Sequence, residues 1–280
     1  MRPDFVAAQE DFIVLPLSYT IGSETYFDAP GEGLSSHAFY DRLRGGETSI
    51  TSQITTVTFT DTFRPLLEAG KDVLYIAFSS ALSGTYQSGA LAAQMLREEM
   101  PGARVWVVDS LCASGGQALC VHEALRLRER GVDAQETAAW VEGNRQRIAQ
   151  WFTVDDLNFL KAGGRCSPAA AFFGTLMSIK PVLHVSAEGK LVAREKVRGR
   201  LGAMRGLLKH MEELAVEPAA HRVFISHADC LLEVEQLRLM IHEQLHVPLD
   251  QFVISDVGPV IGTHAGPGVL ALIFMGKPRT

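Results

Sequence analysis

Two uninterrupted apolar runs constrain this chain more than any other feature. Val73-Leu74-Tyr75-Ile76-Ala77-Phe78 and the run 105–108 carry no polar alternation. Short runs of this kind read as strands buried on both faces, as in a parallel sheet. Each is followed by small and hydroxyl residues that open a helix. After the first come Ser79-Ser80-Ala81-Leu82-Ser83-Gly84-Thr85; after the second come Asp109-Ser110 and then Ser114-Gly115-Gly116. The helix expected over 84–100 stops at Pro101-Gly102, and the one over 115–130 stops at Gly131.

Other segments complete the pattern. An extended apolar stretch covers 12–19, and Gly22-Ser23 turns into 24–27. Ser35 or Ser36 caps a short helix over 37–44, closed by Gly45, and a second helix spans 59–69. A further helix is expected over 134–150. Beyond it the chain changes character. Two extended runs within 180–197 flank Glu188-Gly189, a hairpin signal. The helix 201–215 buries Leu201, Met204, Leu208 and Met211. Strands 223–225 and 252–254 are separated by a helix over 231–245, and 260–274 is glycine-rich and then apolar. At 280 residues the chain is long enough for two domains. The expected fold is α/β, with a parallel α/β sheet in an N-terminal domain, 1–150, and an α+β sheet in a C-terminal domain, 151–280.

Composition removes several function classes. Hydrophobic residues at 47% and charged residues at 21% fit a globular chain. A net charge of -6 lacks the basic footprint of a nucleic-acid binder. No apolar run approaches the roughly 18 residues of a membrane helix, and no signal peptide is visible. Cys112, Cys120, Cys166 and Cys230 form no C-x-x-C pair. Few, scattered cysteines read as reduced thiols in a cytoplasmic protein.

The polar clusters suggest an anion site. In parallel α/β sheets, ligands bind at the carboxyl ends of strands, where helix N-termini present free N–H groups. The hydroxyls of Ser80, Ser83 and Thr85 add donors there, although serine is also an ordinary helix cap. No phosphate-binding glycine loop is present, so a nucleotide is not expected. Thr51-Ser52-Gln53 forms a second hydroxyl cluster, and Gly163-Gly164-Arg165 sets an arginine after a turn. Arginine fixes carboxylates or phosphates through paired hydrogen bonds. In 258–268, four glycines and two prolines surround His264, a setting in which close backbone approach can hold the ring against a ligand.

Two enzyme readings stand beside this one. His242-Glu243-Gln244-Leu245-His246 matches the H-E-x-x-H pattern of zinc hydrolases, with Glu243 as base. The match is short, and Val247-Pro248 ends the helix. A serine hydrolase would need Ser83, His264 and Asp109 to meet, without a G-x-S-x-G elbow.

Taken together and in order, these clusters resemble the DegV family of bacterial fatty-acid-binding proteins, the FakB type. The matching segments are Phe39-Tyr40-Asp41-Arg42-Leu43, Thr51-Ser52-Gln53, residues 79–88, Asp109-Ser110, Gly164-Arg165-Cys166-Ser167, Lys180-Pro181 and residues 260–268. The serine-rich motif and the His264 segment are the specific ones. The resemblance implies a fatty acid held in a tunnel between two domains, with no cofactor. It places the carboxylate contacts on Thr51, Ser52 and Ser83, with His264 closing the network and Arg165 supporting it. Ser80, Gly84 and Thr263 would support the site. Phe172, Phe173 and Leu176, within the apolar stretch 169–179, would line the tunnel. The family member is a carrier rather than a catalyst. It presents the acyl carboxylate to a separate ATP-dependent fatty acid kinase (DAK2-like) and carries acyl phosphate toward phospholipid synthesis. Arg198 and Arg200, in a basic run with Arg194 and Lys196, are candidates for kinase docking, or simply a solvated strand edge. One departure is expected: family members begin with a strand ending in a D-S-x-x-D-L-P-like motif, and here the first apolar segment starts near Phe12, so the first domain would lack that strand.

Overall fold

The computed structural model describes residues 6–166 and 178–280. The first half builds two small sheets. Strands β1 (Ser18–Ile21) and β2 (Glu24–Phe27) form a hairpin around Gly22, whose positive φ of 59° suits the turn. Helix α1 (Ser36–Arg44) starts where Ser35 Oγ accepts from the Ala38 N–H, and it closes at Gly45. Strand β3 (Ser49–Ser52) pairs antiparallel with β1, giving the order β2-β1-β3. Helix α2 (Thr56–Glu68) follows.

The two apolar runs are strands β4 (Val73–Ala77) and β5 (Val105–Asp109), paired in parallel. Helix α3 (Thr85–Glu99) connects them, and α4 (Gly115–Glu129) and α5 (Ala134–Asn144) follow β5. Burial of β4 is less complete than the sequence predicts. Val73 and Ala77 are buried, but Leu74, Tyr75 and Ile76 are half-buried. Among the described residues β4 pairs only with β5, and a cavity lies against it.

The second half is organised by one mixed six-stranded sheet. Its members are β6 (Ile148–Thr153), β7 (Ile179–Val185), β8 (Leu191–Arg198), β9 (Val223–His227), β10 (Phe252–Asp256) and β11 (Leu270–Met275), in the order β10-β9-β11-β6-β7-β8. Helices α6 (Leu157–Ala162), α7 (Gly199–Leu214), α8 (Leu231–Leu245) and α9 (Pro259–Ala265) complete the chain. The β7–β8 hairpin turns at Glu188-Gly189 as expected.

Three expectations are corrected. The helix expected to 150 ends at Asn144, and Ile148 already begins β6, whose six residues are all buried. The extended stretch 12–19 becomes a strand only from Ser18. The glycine-rich segment around His264 is not a loop: Pro259 and its successors form α9, with proline in the first turn, where its missing N–H costs nothing.

The halves share a core. Val108, Cys112, Leu119 and Cys120 pack with Ile148, Phe224 and Ile273. Helix α4 enters this interface through Gly115 and Gly116. A Cβ on Gly115 would stand 2.7 Å from Ser226 Oγ, and one on Gly116 would overlap the Gln150 side chain.

Candidate functional site

The carboxyl end of β4, the start of α3, the end of β3 and the short helix α9 converge. Strand β3 is an edge strand of alternating exposure, so Thr51 faces α9 while Ser52 stays exposed. Thr51 Oγ1 and His264 Nε2 share a 2.9 Å hydrogen bond across 213 residues of sequence. Next to it, Ser49 Oγ and Thr263 Oγ1 lie 2.8 Å apart. Helix α9 is therefore tied to β3 by two hydroxyl contacts, and His264 is held by the first half of the chain.

The hydroxyl-rich loop after β4 supplies the other side. Ser79 is fully buried; the backbone N–H groups of Leu82 and Ser83 return to its carbonyl at 3.0 and 3.1 Å. Ser83 Oγ accepts from the Thr85 N–H at 3.2 Å and donates to Thr85 Oγ1 at 3.0 Å. Gly84 is the N-cap residue of α3 and provides no side-chain cap; Ser83 Oγ takes the Thr85 N–H in its place. Gln53 leans against Gly84 so closely that a Cβ there would overlap its carboxamide. The β3 cluster and the α3 N-terminus are thus neighbours.

A cavity of about 1300 Å³ opens at this point. Thr51, Ser52, Gln53, Ser83, Gly84, Arg165 and His264 all belong to its wall. Away from them the wall is largely apolar, with Phe63, Leu66, Leu74, Ile76, Val121 and Phe224 among its members. The cavity takes wall residues from both halves. The wall also carries Asp72, Arg128 and Arg222; a mainly apolar chamber with a small number of placed polar groups is the usual form of a small-molecule site.

Arg165 supplies a positive charge at this end of the cavity. Burial, reinforced by the positive charge of Arg165, lowers His264 from the usual 6.5 to about 4. The ring is neutral near pH 7 and donates or accepts without carrying charge. Arg165 is exposed; its Nε donates to the Leu82 carbonyl at 3.3 Å, beside Ser83. Gly163 is pressed against the ring, since a Cβ there would sit 2.6 Å from His264 Nδ1.

The structure therefore brings together Thr51, Ser52, Ser83, Gly84, Arg165 and His264. Ser80 is turned elsewhere: its N–H donates to Asp109 Oδ1 at 3.2 Å, and it is absent from the cavity wall. Thr263 faces Ser49 rather than the cavity. Phe172, Phe173 and Leu176 lie outside the described residues. Arg198 is exposed at the end of β8, whereas Arg200 is engaged with Asp155 at 3.6 Å, Glu233 at 3.7 Å and Cys230 Sγ at 3.4 Å. Wall residues not named from sequence include Gln53, Asp28 and Tyr75. Gln53 was legible as part of its cluster; Asp28 and Tyr75 carried no local signal.

The two enzyme arrangements do not assemble. Asp109 Oδ1 accepts from the N–H groups of Ser80 and Leu111, Ser83 is bonded to Thr85, and His264 is bonded to Thr51. In the H-E-x-x-H segment, His242 Nδ1 is 2.8 Å from the Val247 carbonyl, and His246 caps the helix with a φ of 54°. Among the described residues the group of three metal-capable side chains is His37, Asp41 and Asp229, not this pair. There Arg44 already pairs with both aspartates.

A family model described as an uncharacterised protein of the DegV family matches residues 2–277. A DegV domain-containing protein of Clostridium perfringens is 38% identical over 277 residues, covering 99% of this chain and 94% of that protein. A solved structure titled fatty acid binding of a DegV family protein, from Thermus thermophilus, is 33% identical with a TM-score of 0.82. It covers 93% of this chain and 90% of its own. A fatty acid binding DegV family protein from Streptococcus agalactiae is 30% identical with a TM-score of 0.84, covering 99% and 95%.

Proposed function

The chain belongs to the DegV family, and from that premise we propose that it binds a long-chain fatty acid in the cavity between its two halves. The observation that carries this reading is a cluster of hydroxyls with one histidine and one arginine on the wall of a largely apolar chamber. Thr51, Ser52 and Ser83 hydroxyls, the neutral His264 ring and the Arg165 charge share a wall with Phe63, Leu66 and Ile76. A carboxylate at the polar end accepts hydrogen bonds from the hydroxyls and faces the α3 N-terminus, whose dipole favours negative charge. The acyl chain occupies the apolar part, where each buried CH₂ contributes about 0.8 kcal/mol. Two fatty acid binding relatives of at least 30% identity support the ligand class.

In this reading the protein is a cytoplasmic carrier with no chemistry of its own. A separate fatty acid kinase transfers the γ-phosphoryl group of ATP to the presented carboxylate, giving ADP and an acyl phosphate for phospholipid synthesis. This part rests on the resemblance of the motifs. Among the described residues no helix is long and apolar enough to cross a membrane. Arg198, exposed on its strand, remains a candidate for kinase contact.

Native mass spectrometry of the protein purified from cells tests the reading. A bound long-chain acid that is lost on His264→Ala substitution supports it. A stoichiometric metal with no lipid overturns it. Acyl phosphate formed from ATP only when kinase and acid-loaded protein are combined supports the carrier role.

A further inference from the structure

Helix α9 is seven residues long, and its N-cap residue, Gly258, has no side chain to receive the first-turn N–H groups. Helix starts need such an acceptor. It arrives from the other end of the chain. Asp28 Oδ2 accepts from the Val260 N–H at 3.0 Å across 232 residues. The approach is possible because position 258 is glycine; a Cβ there would stand 2.6 and 2.7 Å from the two carboxylate oxygens. Asp28 is itself anchored, its N–H donating to the Leu17 carbonyl at 2.8 Å. Tyr40 braces the same end of the helix by donating to the Val257 carbonyl at 2.7 Å. The helix lies directly on Tyr40 through Gly262. Beyond this end Thr263 meets Ser49, His264 meets Thr51, and Gly266 packs on the Phe159 ring of α6.

We propose that Asp28 is the positioning residue of this site, a remote cap that sets the orientation of α9 and so presents His264 to Thr51 and to the ligand carboxylate. The inference rests on the reading of this cavity as a carboxylate site. Asp28 also belongs to the cavity wall, and the role proposed for it is exerted through the helix, which the His264 shifts of the ligand-free protein report. A carboxylate at the start of α9 also meets the positive end of its dipole. An amide at position 28 keeps an acceptor oxygen for the Val260 N–H, whereas a methyl group does not.

The test compares Asp28→Ala, Asp28→Asn and Gly258→Ala, with palmitate as the probe and the ring-nitrogen NMR shifts of His264 in the ligand-free protein as a second readout. Asp28→Ala should weaken palmitate binding about fivefold, the size expected for a lost cap, and Asp28→Asn should stay within about twofold. Gly258→Ala, which pushes the carboxylate away, should behave like Asp28→Ala. The shift signature of the Thr51 bond should collapse in both alanine variants and persist in Asp28→Asn. A folded Asp28→Ala that binds palmitate as tightly as the wild type and keeps the His264 signature overturns the proposal. So does an Asp28→Asn variant as impaired as Asp28→Ala. Should Asp28→Ala fail to fold, Gly258→Ala decides, and unchanged binding there overturns it. If the wild type itself takes no palmitate, the fatty-acid reading fails, and the His264 shifts alone still decide the role of Asp28.

Discussion

Ser79 Oγ donates a 2.9 Å hydrogen bond to the carbonyl oxygen of Gly189, joining the loop after β4 to the turn of the β7–β8 hairpin. The pair is 110 residues apart in sequence, and Ser79 is fully buried. Gly189 has a φ of 76°, and a Cβ on it would overlap Ser79 Oγ and stand 3.2 Å from Leu111 Cα.

Ser79→Ala leaves that carbonyl without its partner and should cost about 1–3 kcal/mol in urea unfolding. Gly189→Ala should cost more than the 1–3 kcal/mol of positive-φ strain alone, because the methyl group also displaces Ser79. Equal midpoints for wild type and Gly189→Ala would contradict the packing described.

Thr51→Val removes the hydroxyl shared with His264 and keeps the side-chain shape. Fatty acid affinity should fall about fivefold to tenfold, the worth of one net hydrogen bond. Ser83→Ala and His264→Ala should weaken binding as well, with circular dichroism spectra unchanged. Displacement of a fluorescent fatty acid measures all three.

Stability should fall as pH drops from about 6.5 toward 4. His264 and His184 are both lowered from 6.5 to about 4, chiefly by burial, with Arg165 and Arg194 adding to the effect. The unfolded chain binds protons in this window that the folded chain does not, so acid favours unfolding. Stability from these rings is fully present above 6.5 and is lost on approach to 4. His264→Gln should flatten the slope between pH 7 and 5, read from urea midpoints.

A chelator should leave the melting temperature unchanged. His242 is committed to the Val247 carbonyl, and His246 is a helix cap. A drop of several degrees on dialysis against EDTA would revive the zinc reading.

Local chemistry made much of the fold legible. The unbroken runs at 73–78 and 105–108 hold β4 and β5, and β4 needs no polar alternation because the cavity lies against it. Ser35 and Gly45 bound α1, and Glu188-Gly189 turns the hairpin, because each position has a backbone requirement those residues meet. Strand β6 was hidden for the opposite reason. Ile148-Ala149-Gln150-Trp151-Phe152 follows a helix after three residues and carries no breaker, so its apolar content reads equally well as helix. Helix α9 was hidden by its glycines, which serve close approach to Asp28 and Tyr40 rather than a loop.

The site was legible in kind but not in connection. Hydroxyls at a helix start suggested an anion site from the residues alone. That Thr51 would meet His264 followed from resemblance, since nothing in the spacing of residues 213 apart specifies a contact. Asp28 was not visible at all, because one acidic residue after a strand has no distinguishing neighbours.

The glycine pair at the start of α4 bears on how a ligand enters. Gly115 and Gly116 let that helix touch Ser226 and Gln150 with no room for a methyl group. Contact so close forbids the two halves from swinging apart about a hinge without breaking a shared core. Ligand exchange that keeps this contact is then confined to displacements of side chains and short segments of the chamber wall. Exchange rates should respond to substitutions on that wall far more than to any that loosen the sheets.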